Sequence, residues 1–163
     1  MKYPKLLKLA EPYLEENDFG VSHTLRVLEI AKTNYNKYNL DDSWKDTVFS
    51  LIILHDIGGS EIKDQYEKGP TIAKELLERL DYHSFDIKLI CSLIAQHHEK
   101  LVDPHDIFKI LFDSDRLVML SKEEFNNYNS RPDFNWQSII DSFYHADLKD
   151  LAENLLKERR IDN

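Results

Sequence analysis

The stretch VFSLIILHDIGG, residues 48–59, decides the fold of this chain. Its first seven residues are almost entirely apolar, and a helix that is apolar on all sides belongs in the middle of a domain. His55 and Asp56 follow, where burial of both side chains is costly unless a partner binds them. A divalent cation is the natural partner, because neutral imidazole nitrogen and carboxylate oxygen both coordinate such ions. Gly58 and Gly59 stop the helix and leave both side chains near an opening, which predicts an active site.

Composition predicts an all-α protein. The chain has 163 residues, of which only four are glycine and five are proline. Its apolar positions recur at helical spacing almost everywhere, which favours helices over a sheet. A chain of this length is large enough for a full hydrophobic core without disulfide or zinc staples. We therefore expect one compact helical bundle, a single domain spanning residues 1–163.

Charge and cysteine content restrict the class of protein further. The single Cys91 cannot form an intramolecular disulfide, and its apolar neighbours indicate a buried thiol rather than a nucleophile. The N-terminus lacks the apolar run of a signal peptide, and no apolar run is long enough to cross a bilayer. A formal net charge of -9 argues against a nucleic-acid polymer as the main partner. We expect a cytoplasmic protein, with no membrane partner, that could still bind a small phosphorylated substrate through a cation.

Periodicity and caps predict the order of the helices. A polar stretch at 60–68 separates the third and fourth helices, and a polar loop or weak helical insertion at 121–135 precedes the last one. We expect that insertion to be a plain surface connection, with a lid over the site as the alternative. The predicted helices cover about 6–17, 21–38, 44–56 (capped by Asp41, Asp42 or Ser43), 70–80, 85–98 (capped by Ser84), 103–120 (with Pro104 in its first turn) and 136–158.

Two further side chains are predicted to face the same interior. His23 shares a helix face with apolar residues, although a lone histidine there is more often a hydrogen-bonded core residue than a ligand. Asp115 lies on the apolar line of its helix and needs a metal or a cationic partner, with Arg26 as the alternative to a metal. Asp113 is turned away from that line, so we expect it to be exposed or to support the site indirectly.

The pair His97-His98 ends another apolar helix. Adjacent helical residues differ in direction by about 100°, which predicts that one of the two faces the site. The alternative is a capping or core role for both. Inward-facing polar residues on four separate helices are an unusual way to build a plain core, and this co-occurrence favours a metal site.

The ordered motifs resemble those of the HD-domain superfamily of metal-dependent phosphohydrolases. The resemblance rests on SHTLRV (residues 22–27), LHDIG (54–58), IAQHHE (94–99) and DSDRL (113–117), with GPTIAKELL (69–77) similar to the helix between the second and third motifs. It spans about residues 20–120, in the family's order, and an expected C-terminal packing helix covers about 136–158.

The resemblance implies a ligand set and a reaction. One divalent ion (Mn, Mg, Fe, Co, Ni or Zn) would be held by the metal ligands His23, His55, Asp56 and Asp115. The ion would activate a water and hold a phosphoryl oxygen. Proton transfer would fall to Asp56, Glu61, His97 or His98. The candidate phosphate contacts are Arg26, Lys63, Lys68 and Arg116, of which Arg116 is preferred because it neighbours Asp115.

Three positions depart from the pattern of related subgroups. Members with two metals usually carry a histidine where this chain has Tyr66, which disfavours a dinuclear site. The nucleotidase branch often has a glutamate where this chain has Gly59, and Glu61 is the nearest substitute. The Gly-Tyr-Pro signature that can follow His-His-Glu is replaced by Lys100-Leu101-Val102. The subgroup therefore stays open.

The leading hypothesis is a phosphohydrolase with a single metal ion, acting on a small phosphate ester, and in particular on a nucleotide as phosphomonoesterase or phosphodiesterase. The alternative is a non-catalytic metal- or nucleotide-binding regulatory module on the same scaffold, which the absent acid at Gly59 favours. An oxygenase on this scaffold ranks last, because Tyr66 removes an iron ligand.

Overall fold

The structure, a computed structural model, describes residues 1–162. Every regular element within them is helical, which confirms the predicted all-α fold of a compact bundle. Three short 3₁₀ helices accompany the α-helices. The α-helices are α1 (Tyr3–Leu14), α2 (Val21–Asn34), α3 (Lys45–Leu54), α4 (Ile62–Glu67), α5 (Gly69–Arg79), α6 (Ser84–Ile94), α7 (Asp106–Leu117), α8 (Phe125–Asn129), α9 (Trp136–Asp141) and α10 (Ala146–Asp162).

Helix α3 lies at the centre of the bundle. All its residues from Thr47 to Leu54 are buried, as its uninterrupted apolar sequence predicts. Helices α1, α2, α6 and α7 pack against it, and α2 also packs against α7. The C-terminal end of α3, where His55 and Asp56 follow, is therefore enclosed by neighbouring helices.

The chain turns sharply after α3, and Gly58 makes that turn possible. A Cβ atom at Gly58 would lie 2.4 Å from the carbonyl oxygen of Asp64 and 2.8 Å from the amide nitrogen of Gly69. The polar stretch that follows forms the short helix α4, whose buried Gln65 donates a hydrogen bond to the carbonyl of Gly59 at 2.9 Å. Close backbone packing thus fixes α4 and the start of α5 beside the end of α3.

The C-terminal part contains two helices, α9 and α10, so the prediction of one continuous helix from Trp136 was wrong. Asp113 on α7 holds the break between them. Its carboxylate accepts hydrogen bonds from the backbone N–H groups of Tyr144 at 2.8 Å and His145 at 3.1 Å. His145 Nδ1 then accepts a hydrogen bond from the N–H of Asp147 in the first turn of α10. These side-chain acceptors bind backbone N–H groups that a continuous helix would use internally, which explains the break.

Several helix boundaries also differ from those predicted: the first helix covers Tyr3–Leu14 and not 6–17, and the second ends at Asn34 and not at 38. Helix α6 ends at Ile94, four residues before the expected end at His98. Helix α7 begins after His105, whose Nδ1 accepts a hydrogen bond from the N–H of Ile107, and not at Pro104. Asp103 has a φ of 46°, which is a left-handed conformation outside a helix. None of the helices in residues 1–162 combines the length and apolar character needed to cross a membrane.

Candidate metal centre

Four side chains from three helical elements meet at the end of α3. Histidine Nε2 atoms alternate with carboxylate oxygens around the cluster. His23 Nε2 on α2 lies 3.2 Å from Asp56 Oδ2 and 3.2 Å from Asp115 Oδ1 on α7. His55 Nε2 lies 3.2 Å from the same oxygen of Asp56 and 3.3 Å from that of Asp115. The structure thus brings together the four residues that the resemblance to the HD-domain superfamily implies as ligands.

The spacing and chemistry of these atoms fit a divalent cation. Ligand atoms that each lie about 2.0–2.2 Å from one ion are about 3.0–3.5 Å apart, as the nitrogen–oxygen pairs here are. His55 Nδ1 donates a hydrogen bond to the carbonyl of Ile52 at 2.5 Å, which leaves Nε2 as the ligand atom. Within the described part of the chain, the buried atoms His55 Nε2, Asp56 Oδ1 and His97 Nε2 have no hydrogen-bond partner. Such atoms are costly to bury unless an ion binds them.

The protonation of the cluster reflects its mixed charge. Burial alone lowers the pKa of His55, but the carboxylates of Asp56 and Asp115 outweigh it and raise that pKa to about 10. Burial would raise the pKa of either carboxyl group, but the charge of His55 and hydrogen bonds from His23 hold both well below the usual range. The two aspartates are therefore anionic at neutral pH, as ligands to a cation must be.

Both histidines of the pair His97-His98 lie near the cluster, and which of the two acts in the site stays a prediction. His97 Nε2 is 3.3 Å from Asp56 Oδ1, and His97 Nδ1 donates a hydrogen bond to the carbonyl of Ile94 at 2.8 Å. Ligand atoms of His97, His98 and Asp56 all lie within 4.8 Å of one another. The pair follows the last residue of α6, so the angular step of a regular helix does not apply to it.

His98 is held in a neutral state with a defined orientation. Its Nε2 donates a hydrogen bond to Gln65 Oε1 on α4 at 2.6 Å. Burial, reinforced by the neighbouring His97, lowers the pKa of His98 to about 4. At neutral pH His98 therefore presents an uncharged imidazole to the site.

A cavity of about 280 Å³ opens beside the four-residue cluster. One part of its wall is polar and includes His23, Asp56 and Asp115. The part farther along the chain, from α8 to α9, is aromatic, with Tyr128 and Phe134. The remaining lining residues are Asn17, Asp18, Phe19, Gly20, Ser60, Ile62, Gln65, His98, Arg116, Met119, Asn127, Arg131 and Ile139.

Of the four predicted phosphate contacts, the structure places Arg116 at the cavity. Its Nη2 donates a hydrogen bond to the carbonyl of His98 at 3.0 Å, and its guanidinium carbon lies 3.2 Å from the ring centre of Phe112. Its buried Nε has no hydrogen-bond partner among the described residues. The guanidinium is therefore fixed in position while retaining donors that can bind a ligand.

The structure does not bring the other three predicted contacts to the cavity lining. Arg26 forms an ion pair with Glu124 and not with Asp115, which had been the alternative to a metal. Lys68 Nζ lies 3.3 Å from Asp64 Oδ1. Both Lys63 and Lys68 are exposed. Glu61, a predicted proton-transfer residue, is also exposed and absent from the lining. The roles predicted for these residues stay predictions.

Asp113 points away from the cluster, as expected, but it is fully buried, so the first of its two expected settings, exposure, was wrong. Its carboxylate accepts hydrogen bonds from the backbone N–H groups of Tyr144 and His145, between α9 and α10, and from the Tyr38 hydroxyl at 2.7 Å. Burial raises the pKa of Asp113 despite these donors. The residue ties α7 to the C-terminal helices rather than supporting the cluster.

Sequence reasoning missed Glu124 and the cavity wall that follows it. Glu124 accepts a hydrogen bond from His23 Nδ1 at 2.9 Å and is fully buried. The signal present in the sequence is the spacing Ser-x-x-Glu from Ser121 to Glu124, a helix-start pattern. It lies in the turn directly before α8, and α8 brings Asn127 and Tyr128 to the cavity. The segment 121–135 is therefore part of the cavity wall and not a plain surface connection.

Comparison with known proteins agrees with this geometry. The sequence model of the HD domain matches residues 20–127. The structure is similar to a crystal structure, determined at 1.45 Å, of a predicted HD superfamily hydrolase from an uncultured Thermotogales bacterium. The TM-score is 0.68 at 20% sequence identity, over 96% of this chain and 86% of that chain. At this identity the likeness shows the fold. No functionally curated protein sequence matches the chain significantly.

The matched region contains all four side chains that meet at the end of α3. Members of this superfamily are in general metal-dependent hydrolases that bind divalent cations. Because the match covers more than half of the sequence, the chain belongs to the HD domain family.

Proposed function

We propose that the protein is a metal-dependent phosphohydrolase that acts on a small phosphate ester, and specifically on a nucleotide. The observation that supports this most strongly is the position of the cluster. Three of its members, His23, Asp56 and Asp115, line a cavity that also holds the guanidinium of Arg116. A cation-binding cluster next to a fixed guanidinium is suited to a phosphate group, which needs positive charge on more than one side.

The proposed cofactor is one divalent ion held by His23, His55, Asp56 and Asp115. Two imidazole nitrogens and two carboxylate oxygens accept Mn, Mg, Fe, Co, Ni or Zn, so the ligand set does not identify the metal. When bound, such an ion supplies a water of lowered pKa and polarises a phosphoryl oxygen.

Arg116 binds and orients the phosphate in this proposal. Burial lowers the pKa of Arg116, but a guanidinium stays cationic at pH 7 because its ordinary pKa is above 12. Its contacts with the His98 carbonyl and the Phe112 ring fix its plane. A guanidinium that is already positioned loses little conformational freedom when it binds a phosphate oxygen.

Proton transfer is assigned to groups that already lie at the cluster. His98 is a candidate because it lies at the cluster and holds its Nε2 proton toward Gln65, which leaves its other ring nitrogen as an acceptor, although burial lowers its pKa to about 4 and makes it a weak base. His97 Nε2, 3.3 Å from Asp56 Oδ1, is the second candidate. We also retain Asp56 and Glu61 as candidates, although Glu61 would have to move to reach the cavity from its exposed position.

The aromatic residues in the cavity lining support a nucleotide as the substrate. Phe19, Tyr128 and Phe134 line the cavity, and aromatic rings stack on nucleobases of any type. Asn127 and Arg131 add hydrogen-bond donors to the same lining. The cavity thus offers groups for both the phosphate and the base of a nucleotide.

The remaining proposals concern the setting in which the protein works. We propose a small-molecule substrate rather than a nucleic-acid polymer, because a net charge of -9 repels a polyanionic backbone. A cytoplasmic location and a single-domain organisation of residues 1–163 remain our proposals; the lone Cys91 supports the first because it cannot form an intramolecular disulfide.

A non-catalytic metal- or nucleotide-binding regulatory module is the second candidate function. The position that carries a glutamate in the nucleotidase branch is Gly59 here, and Glu61 is exposed. A cavity that binds the ligand without a well-placed proton donor would act as a sensor. This alternative predicts metal and nucleotide binding without turnover.

Elemental analysis combined with turnover assays tests the proposal. Untagged wild-type protein and the Asp115→Ala variant would be assayed with Mn²⁺, Mg²⁺, Fe²⁺, Co²⁺, Ni²⁺ and Zn²⁺ against nucleoside monophosphates, cyclic nucleotides and generic phosphate esters. About one ion per chain, with turnover that the variant loses, is the expected result. Metal binding with no turnover would favour the regulatory module. Two irons per chain would favour oxygenase chemistry and overturn the proposal.

A further inference from the structure

Glu124 is a buried carboxylate outside the four-residue cluster. Its side chain has no exposed surface, although it lies in the polar segment 121–135. An ionised carboxylate is costly to bury unless its oxygens are paired. Both oxygens lie within 3.0 Å of His23 Nδ1, and Oε2 also accepts a hydrogen bond from Arg26 Nε at 2.9 Å. Glu124 is thus shared between one histidine of the cluster and one arginine.

We propose that Glu124 is a positioning residue that sets the orientation and proton position of His23. This inference rests on the proposed metal centre. A carboxylate at Nδ1 keeps the proton on that nitrogen, so that the lone pair of Nε2 faces the cluster. His23 Nε2 is the atom that lies 3.2 Å from both Asp56 and Asp115. Carboxylates in this position fix the tautomer of a ligating histidine and raise its basicity.

Arg26 completes the arrangement by balancing the charge of Glu124. It lies three residues after His23 on α2, and its Nη2 is 2.9 Å from Glu124 Oε2. Residues three apart on a helix are neighbours on its surface, so α2 presents both partners to one carboxylate. Without Arg26, Glu124 would be a third buried anion close to Asp56 and Asp115. We therefore assign Arg26 to Glu124 rather than to the substrate phosphate.

The same contact links the metal centre to the aromatic side of the cavity. Glu124 immediately precedes α8, and its backbone N–H donates to Ser121. Helix α8 brings Asn127 and Tyr128 to the cavity lining. The distance between the cluster and this wall is therefore set in part by the contact between Glu124 and His23.

A purely structural ion pair is the competing explanation for the same contacts. In that case Glu124 and Arg26 would only hold the segment 121–135 against α2. Removing either partner would then lower the melting temperature and leave the metal affinity of the folded protein unchanged. Both explanations predict a lower melting temperature for the variants, but only the positioning role predicts weaker metal binding by the folded Glu124 variants.

The test measures divalent-ion affinity in the wild type, in the variants Glu124→Gln, Glu124→Ala and Arg26→Gln, and in one control. Glu123→Gln is the matched control, because Glu123 is the adjacent glutamate and is exposed. Isothermal titration with Mn²⁺ and with Co²⁺ gives Kd, and circular dichroism gives the melting temperature and confirms folding. The Co²⁺ absorption spectrum reports the ligand geometry independently of activity.

We expect Glu124→Gln and Glu124→Ala to raise the Kd by about 10- to 100-fold and to change the Co²⁺ spectrum. Arg26→Gln should lower the melting temperature and change the Kd less than Glu124→Ala does. Folded Glu124 variants with wild-type Kd and an unchanged spectrum would overturn the inference, as would a wild-type protein that binds neither ion.

The outcome is separable from that of the proposed function. Wild-type protein that binds metal but hydrolyses no phosphate ester, with weaker binding in Glu124→Ala, would support the role of Glu124 while refuting the hydrolase. Wild-type turnover, together with a Kd that is unaltered in the Glu124 variants, would support the hydrolase and refute the role of Glu124.

Discussion

Asp113 and Asp115 are two residues apart on α7, yet their carboxylates serve opposite sides of that helix. Asp115 Oδ1 lies 3.2 Å from His23 Nε2 at the cluster, whereas Asp113 accepts hydrogen bonds from Tyr38 and from the backbone before α10. Both are enclosed, but one faces a set of unsatisfied ligand atoms and the other a set of satisfied donors. We therefore expect Asp115 to contribute to metal binding and Asp113 to contribute to the stability of the fold.

Substitution of the two aspartates should give different results. We expect Asp115→Ala, like His55→Ala, to abolish metal retention, because each removes an atom of the cluster. Asp113→Ala should keep the metal but lose about 3 kcal/mol of stability, since it leaves buried donors without an acceptor. Elemental analysis and urea denaturation measure the two effects. Equal metal loss in all three variants would contradict this division.

Metal addition should stabilise the protein. An ion that binds the folded chain alone contributes about 2.7 kcal/mol at 100 times its Kd. For a chain of this size that amounts to a rise of about 5–10 °C in the melting temperature. Differential scanning calorimetry with and without a chelator measures the shift, and Asp115→Ala serves as the control that should not respond. A wild-type melting temperature that ignores every divalent ion would contradict the prediction.

Arg116→Gln should reduce kcat/KM for a phosphate ester by about 10- to 100-fold, because a charge-assisted hydrogen bond contributes about 1.5–3 kcal/mol. Metal content should stay unchanged, since the guanidinium is not a ligand. Steady-state kinetics with a range of substrate concentrations measure the effect. The variants Lys63→Gln and Lys68→Gln test the two lysines in the same assay. A decrease in kcat/KM as large as that of Arg116→Gln would indicate that these lysines also bind the phosphate.

Gly58→Ala should destabilise the fold by about 1–3 kcal/mol, the usual cost of overpacking. The added Cβ would meet backbone atoms of Asp64 and Gly69, which cannot turn aside as a side chain can. Gly69→Ala is the comparison, because its Cβ would meet the side-chain Cγ2 of Ile94 at 3.0 Å. Urea midpoints rank the two variants. A Gly69→Ala variant that is less stable than Gly58→Ala would contradict the packing argument.

Cys91 should react slowly in the folded protein. Burial raises the pKa of this thiol, whose Sγ–H donates to the carbonyl of Pro70, so less thiolate is present at a given pH than in the unfolded chain. The protonated thiol of Cys91 stabilises the folded state fully below the thiol pKa of the unfolded chain. This contribution is lost as the pH rises through the thiol pKa of the folded chain. Alkylation by iodoacetamide between pH 7 and pH 10, with and without urea, measures this. Equal alkylation rates of the folded and the urea-unfolded protein at pH 8 would contradict the prediction.

The longer helices were predictable from the sequence because they bury apolar residues at helical spacing, and α3 is buried from Thr47 to Leu54. The short helix α4 was not predictable in this way, because its buried residue is the polar Gln65. The break before α10 was not predictable from the same pattern. Apolar residues continue at helical spacing through Phe143 and Tyr144, and the break depends on Asp113, about 30 residues earlier in the chain. Long-range hydrogen bonds of this kind leave no local periodicity.

His55, Asp56 and Asp115 were conspicuous in the sequence because they are polar side chains beside apolar residues, and the resemblance to the HD-domain superfamily added His23 and completed the set. The exposed position of Glu61 was not accessible, because a loop sequence does not state which way its side chains point. The pairing of Arg26 was not accessible either, because its partner Glu124 is about 100 residues away in the chain. Glu124 was missed for a related reason. It lies among polar neighbours, where a glutamate is ordinarily solvated, and only the folded chain shows that it is enclosed.

The aromatic wall of the cavity also supplies a spectroscopic probe. The ring of Trp136 lies 4.8 Å from that of Phe134, which lines the cavity, and it stacks on Phe125 at 5.0 Å. The chain has two tryptophans, so a Trp44→Phe variant would carry a single indole fluorophore one ring away from the ligand. Its emission would report occupancy of the cavity in real time, with no label and no knowledge of the reaction that follows.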